Sequence, residues 1–109
     1  MQDLNVTIIQ SDLAWHDAGA NRARFERIIR GLNESTDLVL LPEMFSTGFT
    51  MEPASCAEEM DGITAKRLAE WARDKDADIA GSVAIKEKGR YYNRLLWARP
   101  GGAIITYDK

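Results

Sequence analysis

Asp37-Leu38-Val39-Leu40-Leu41-Pro42-Glu43-Met44-Phe45 is the stretch whose reading decides the fold. Leu38 to Leu41 is short, sharply bounded and apolar on both faces, as a strand covered on both sides of a sheet should be. Pro42 has no N–H to give a neighbouring strand, so the strand stops there. Glu43 is thereby presented at the carboxyl end of a buried strand, where open α/β sheets gather their ligand sites. A carboxylate there costs desolvation unless it is paired or used. A plainer role is equally open at this point, with Glu43 capping a turn or helix start.

Outward from this strand, both flanks read as further strands and helices. Leu4 to Gln10 predicts a first strand, with Leu4, Val6 and Ile8 alternating with polar neighbours. Ser11 to Gly19 is a loop carrying Trp15 and His16, the single histidine, which reads as a surface or hydrogen-bonded loop residue. Ala20 to Glu34 predicts a helix, because Phe25, Ile28, Ile29 and Leu32 recur on one face. Arg22, Arg24, Arg27 and Arg30 avoid that face and, mixed with Glu26 and Glu34, read as a solvated surface. Downstream of Glu43, Met44 to about Gly62 is irregular, a length that is usually functional or lid-like.

Ile63 to Asp74 predicts a second helix, with Asp61 or Thr64 available to cap it. Asp78 to Ile85 predicts a strand in which Gly81 signals a close backbone approach or a bulge. A charged turn over Lys86 to Arg90 leads to a strand at Tyr91 to Ala98. A Pro100-Gly101-Gly102 turn then leads to a last strand at Ala103 to Tyr107. The order β-α-β-loop-α-β-β-β predicts an α/β fold on a mixed sheet, parallel through crossovers in its first half and antiparallel in its second. Two helices cover about one face of such a sheet. The chain is therefore expected to be the front part of a larger fold, or to need a partner.

Composition narrows the function. The 109 residues are 45% apolar and 28% charged, a soluble globular balance with enough chain for one small core. A net charge of −3 with no Lys/Arg stripe argues against nucleic acid as a partner. No apolar run is long enough to span a membrane and no secretory leader is recognisable, so a cytoplasmic location is expected. One cysteine precludes an internal disulfide. No glycine-rich phosphate loop, H-E-x-x-H, C-x-x-C or G-x-S-x-G occurs, which counts against a nucleotide-binding domain and against the commonest hydrolase and redox motifs.

What remains is a pair. Glu43 and Lys109 each stand just past a strand end, and if those strands run the same way both side chains reach one cleft. A carboxylate beside an ammonium stays ionised and ready to accept a proton, while the ammonium can stabilise an oxyanion. A nucleophile is missing, since the acidic neighbours of Cys56 (Glu58, Glu59 and Asp61) disfavour a thiolate and make it a bystander.

The whole chain resembles the N-terminal part of the nitrilase, or carbon–nitrogen hydrolase, superfamily. The resemblance is carried by Val6-Thr7-Ile8-Ile9-Gln10, by Leu40-Leu41-Pro42-Glu43-Met44-Phe45 with Thr47-Gly48-Phe49, by Ala80-Gly81-Ser82, by Tyr92-Asn93-Arg94 and by Tyr107-Asp108-Lys109. Within the family the chain is most similar to the omega-amidases, which act on 2-oxo-acid amides. The resemblance implies a Glu–Lys–Cys triad with Glu43 as general base and Lys109 as oxyanion-stabilising lysine. The nucleophilic cysteine and a supporting second glutamate fall beyond Lys109, outside this chain. It further implies that residues 1–109 are the N-terminal portion of one four-layer α-β-β-α domain, inactive alone and dimeric when complete. A small-molecule amide substrate and no metal or cofactor are expected. Phe45, Thr47 and Phe49 are candidate walls of the substrate pocket, or packing beneath a long loop. A reading of a different class is a non-catalytic truncated module that binds a ligand or a partner chain.

Overall fold

A computed structural model of the chain describes residues 3–109. Its elements are β1 (Val6–Ile8), α1 (Ala18–Arg30), β2 (Leu38–Leu40), a 3₁₀ turn (Pro53–Ser55), α2 (Ile63–Lys75), β3 (Asp78–Glu87), β4 (Arg90–Ala98) and β5 (Ile104–Asp108). The strands form one sheet in the order β1-β2-β3-β4-β5. β1, β2 and β3 are parallel neighbours, and β4 is antiparallel to both β3 and β5. This is the expected mixed α/β arrangement, and it makes β2 and β5 run the same way.

Local chemistry sets the element ends. α1 starts at Ala18, two residues earlier than the periodicity predicts, because the Asp17 carboxylate accepts the Ala20 N–H at 3.1 Å. It stops at Arg30 rather than Glu34, where the Gly31 N–H turns back to the Arg27 carbonyl. The expected cap of α2 is corrected: neither Asp61 nor Thr64 supplies it. Glu58 does, accepting the Thr64 N–H at 3.0 Å and the Thr64 hydroxyl through its other oxygen. β3 and β4 are joined by Lys88-Gly89, both left-handed at φ 51° and 75°, the turn geometry that matches strand twist. β1 is shorter than predicted: among the described residues it pairs with β2 over three residues.

Both helices cover one face of the sheet. Phe25 and Ile29 of α1 and Leu68, Trp71 and Ala72 of α2 pack on Val39, Ile79, Val83 and Leu96. The solvated reading of the arginines is corrected in part: Arg22 ion-pairs with Glu58 at 3.7 Å and donates to the Thr64 hydroxyl at 3.2 Å, tying α1 to α2. Trp71 adds a second tie, its indole N–H donating to Glu26 at 3.1 Å and holding that carboxyl below the usual range. On the opposite face, strand alternation lines up Ile8, Leu40, Leu95, Ile105 and Tyr107. There Ile8, Ile105 and Tyr107 are 68%, 57% and 67% exposed, so among the described residues nothing covers the apolar edges of that face.

Candidate active site

The site begins where β2 ends. The Leu41 N–H still bonds the Ala80 carbonyl at 2.8 Å, and then Pro42 closes the ladder. The chain turns back at Met44, a non-glycine residue at φ 53°, a conformation that costs energy and persists only where the surroundings enforce it. Ser82 of β3 enforces it. Its hydroxyl accepts the Met44 N–H at 2.9 Å, and its carbonyl accepts the Phe45 N–H at 3.2 Å. The Met44 carbonyl then takes the N–H groups of Thr47 and Gly48 at 3.2 and 2.8 Å. Glu43 is thus held on a tight turn anchored to the neighbouring strand.

Lys109 arrives from the other side. The register that pairs Arg94 with Asp108 places it opposite Asn93, and its N–H donates to the Asn93 carbonyl at 2.9 Å. Its Nζ lies 3.0 Å from Glu43 Oε2, and Asn93 Nδ2 donates to the same oxygen at 3.1 Å. Asn93 therefore holds both partners, Lys109 by its main chain and Glu43 by its side chain. The glutamate and lysine side chains remain 48% and 40% exposed, open to a solute. The Lys109 hydrogen bond, then that of Asn93, then the lysine charge, hold the Glu43 carboxyl below the usual carboxylate range. An ionised carboxylate fixed beside an ammonium can take a proton and stabilise a neighbouring negative charge.

The three candidate pocket residues divide. Phe45 is fully buried, edge-on to Phe25 with ring centroids 5.7 Å apart. Thr47 is 1% exposed and donates its hydroxyl to the Gly48 carbonyl at 2.8 Å. Neither can line a pocket here, because the turn after Glu43 folds back into the core; their role is packing. Phe49 is 69% exposed and borders an open depression of about 160 Å³ with Met44, Tyr92 and Asn93. His16 is a hydrogen-bonded loop residue, with Nε2 2.6 Å from the Thr50 hydroxyl and its ring stacked on Trp15. Cys56 points its sulfur at His16 (3.9 Å) and the Glu52 carbonyl (3.8 Å) and makes no bond to Glu43 or Lys109.

In the sequence Ser82 stands out only as part of Ala80-Gly81-Ser82; one hydroxyl in an apolar strand gives no sign of the N–H it will accept. Asn93 carried a signal, a polar amide in a strand otherwise rich in aromatic and aliphatic residues, but its partner depends on register.

Comparison with known proteins bears on the family and the fold. Residues 5–109 match the sequence model of the carbon–nitrogen hydrolases. The chain is 38% identical over 109 residues to the omega-amidase YafV of Escherichia coli and 39% identical over 110 residues to that of Yersinia enterocolitica, covering 100% of this chain and 42% of each relative. The fold superimposes with a TM-score of 0.95, at 40% identity, on a Xanthomonas campestris protein of the CN-hydrolase superfamily that carries an arsenic adduct in its active site. That match covers all of this chain and 41% of the other.

Proposed function

The chain belongs to the carbon–nitrogen hydrolase family, and on that premise we propose that it supplies the base and the oxyanion cation of an omega-amidase-like enzyme, Glu43 and Lys109. The enzyme releases ammonia from the amide of a small 2-oxo acid. The observation that carries the reading is the convergence of Lys109 Nζ and Asn93 Nδ2 on Glu43 Oε2 at 3.0 and 3.1 Å. The choice of substrate is supported by the E. coli and Yersinia relatives, and by a 28% identical Bacillus subtilis relative named 2-oxoglutaramate amidase.

The chain spans about two fifths of the length of these relatives, 42% for the first, and the activity proposed is that of the whole protein. Its nucleophile is a cysteine outside these residues. Glu43 takes the thiol proton as the sulfur attacks the amide carbonyl carbon. The Lys109 ammonium stabilises the oxygen that becomes negative. Collapse of the tetrahedral adduct breaks the C–N bond, and Glu43 passes its proton to the departing nitrogen, which leaves as ammonia. Water, deprotonated by Glu43, then cleaves the thioester and restores the thiol. Because Glu43 is held ionised by its neighbours, the base is ready at neutral pH.

The test is Glu43→Gln in the complete protein, assayed by ammonia release from 2-oxo-acid amides. The amide side chain keeps the shape but takes no proton, so turnover should fall by at least ~10²-fold. Wild-type rates in that variant would remove Glu43 as the base.

A further inference from the structure

Arg94 follows Asn93 on β4, so strand alternation sends its side chain to the face opposite the Glu43–Lys109 pair. It is 6% exposed, and all three of its guanidinium nitrogens donate hydrogen bonds. Nε and Nη2 donate to the two Asp108 oxygens at 2.5 and 3.1 Å, and Nη1 and Nη2 donate to the two Glu87 oxygens at 3.2 and 3.1 Å. The group also lies 4.9 Å from the Tyr92 ring centre. One cation thus bridges β3, β4 and β5.

Most other ion pairs among the described residues are more open, Arg22–Glu58 at 18% and 17% side-chain exposure excepted. Arg67–Glu70 and Arg73–Asp74 have side chains 38% exposed or more, where such pairs contribute little. A buried guanidinium between two carboxylates is also a poor way to add stability, since apolar residues of equal volume commonly do as well. What a two-pronged arginine–carboxylate pair supplies is direction, because it fixes both the position and the rotation of the carboxylate.

That direction matters at β5. Among the described residues this strand pairs with β4 and buries little side chain, with Ile105 and Tyr107 57% and 67% exposed. Asp108 is its last residue, and Lys109 comes next. We infer that Arg94 is a positioning residue of the candidate active site: its fork to Asp108 locks the end of β5 onto β4, so that Lys109 stands beside Glu43. Its consequence for turnover rests on the function proposed above; its geometry does not.

The experiment uses the complete protein and two substitutions, Arg94→Lys and Asp108→Asn. The first keeps the charge and loses the fork. The second keeps the shape and covers the case in which the arginine variant does not fold. Glu87→Gln, which leaves the Asp108 fork intact, is the comparison. Two readouts are taken: the titration of the Glu43 carboxyl by ¹³C NMR, and kcat and KM for ammonia release. The expected result is that the Glu43 titration moves up toward the ordinary carboxylate value as Lys109 drifts away. kcat should fall about ten- to a hundredfold, as sub-ångström to ångström misplacement does, with KM changed less than about threefold and the acid limb of kcat/KM moved to higher pH. Glu87→Gln leaves the Glu43 titration and the pH profile in place. A merely structural role would lower Tm while both stay put in the folded variants, and that result overturns the inference. If the Glu43 titration moves and kcat does not, the positioning stands and the proposed function fails.

Discussion

Gly81→Ala adds one methyl group at the centre of β3, and the structure makes its sign unambiguous. The new Cβ would lie 2.8 Å from Phe45 Cδ1, 3.0 Å from Phe45 Cε1 and 3.0 Å from Leu41 Cβ. Carbon atoms pack best at about 3.5–4.0 Å, so the contact is roughly an ångström too close. Phe45 and Leu41 are 0% and 8% exposed, so neither can swing into solvent. Removing a glycine from an ordinary backbone conformation would by itself stabilise by ~0.4–1 kcal/mol through the unfolded chain. Overpacking a filled core costs ~1–3 kcal/mol and wins. A net loss of about 1–2 kcal/mol is expected, or ~2–4 °C of Tm per kcal/mol in a chain of 150–250 residues. Leu41 and Phe45 flank Glu43 by two residues on either side, so the displacement reaches the carboxylate and should lower kcat as well. The assay is thermal or urea unfolding of the complete protein, with Phe45→Leu combined in a double-mutant cycle. The smaller side chain should make the glycine substitution cheaper, a coupling of at least ~0.5 kcal/mol. An unchanged or raised Tm for Gly81→Ala, or additive effects in the cycle, would refute the reasoning.

Three further outcomes are expected. Ser82→Ala leaves the Met44 N–H without its acceptor beside a strained residue, which should cost about 1–3 kcal/mol in unfolding free energy and loosen the turn that carries Glu43. Acid should unlock β5. Arg94 holds Glu87 and Asp108 below the usual carboxylate range, so their stabilising contribution is complete above the ordinary carboxylate pKa and is lost as pH falls through the depressed values. A pH series of Tm should therefore drop less steeply in Arg94→Lys than in wild type at the acid end. Finally, the 109-residue chain alone should release no ammonia from 2-oxo-acid amides, since Cys56 makes no contact with Glu43; steady release would assign Cys56 a catalytic role.

The elements decided by local pattern were legible in the sequence. The bounded apolar run at Leu38–Leu41, the 3.6-residue recurrence of Phe25, Ile28, Ile29 and Leu32, and the short turns before β4 and β5 each fix an element by nearest-neighbour physics. The close approach at Gly81 was legible for the same reason, since a glycine inside a strand has few other uses. The pairing of Glu43 with Lys109 depended only on strand direction, which β-α-β crossovers and hairpins dictate. What escaped was decided across space. Glu58 caps α2 from a loop, and Arg22 crosses between helices, neither of which a spacing rule can find. For Phe45 and Thr47 the choice between pocket wall and packing stayed open, because Met44 adopts a left-handed turn that its residue type does not announce. Ser82, Asn93 and Arg94 find their partners only once β3, β4 and β5 are set in register.

The most direct test of the Glu43–Lys109 pair is kcat for ammonia release in Glu43→Gln, Lys109→Met and the double variant of the complete protein. Two groups that work as one unit lose their contribution once, not twice. Each single substitution should therefore cost at least ~10²-fold, and the double should be little worse than the more damaged single. Near-wild-type turnover in either single variant, or losses that multiply in the double, would contradict the account.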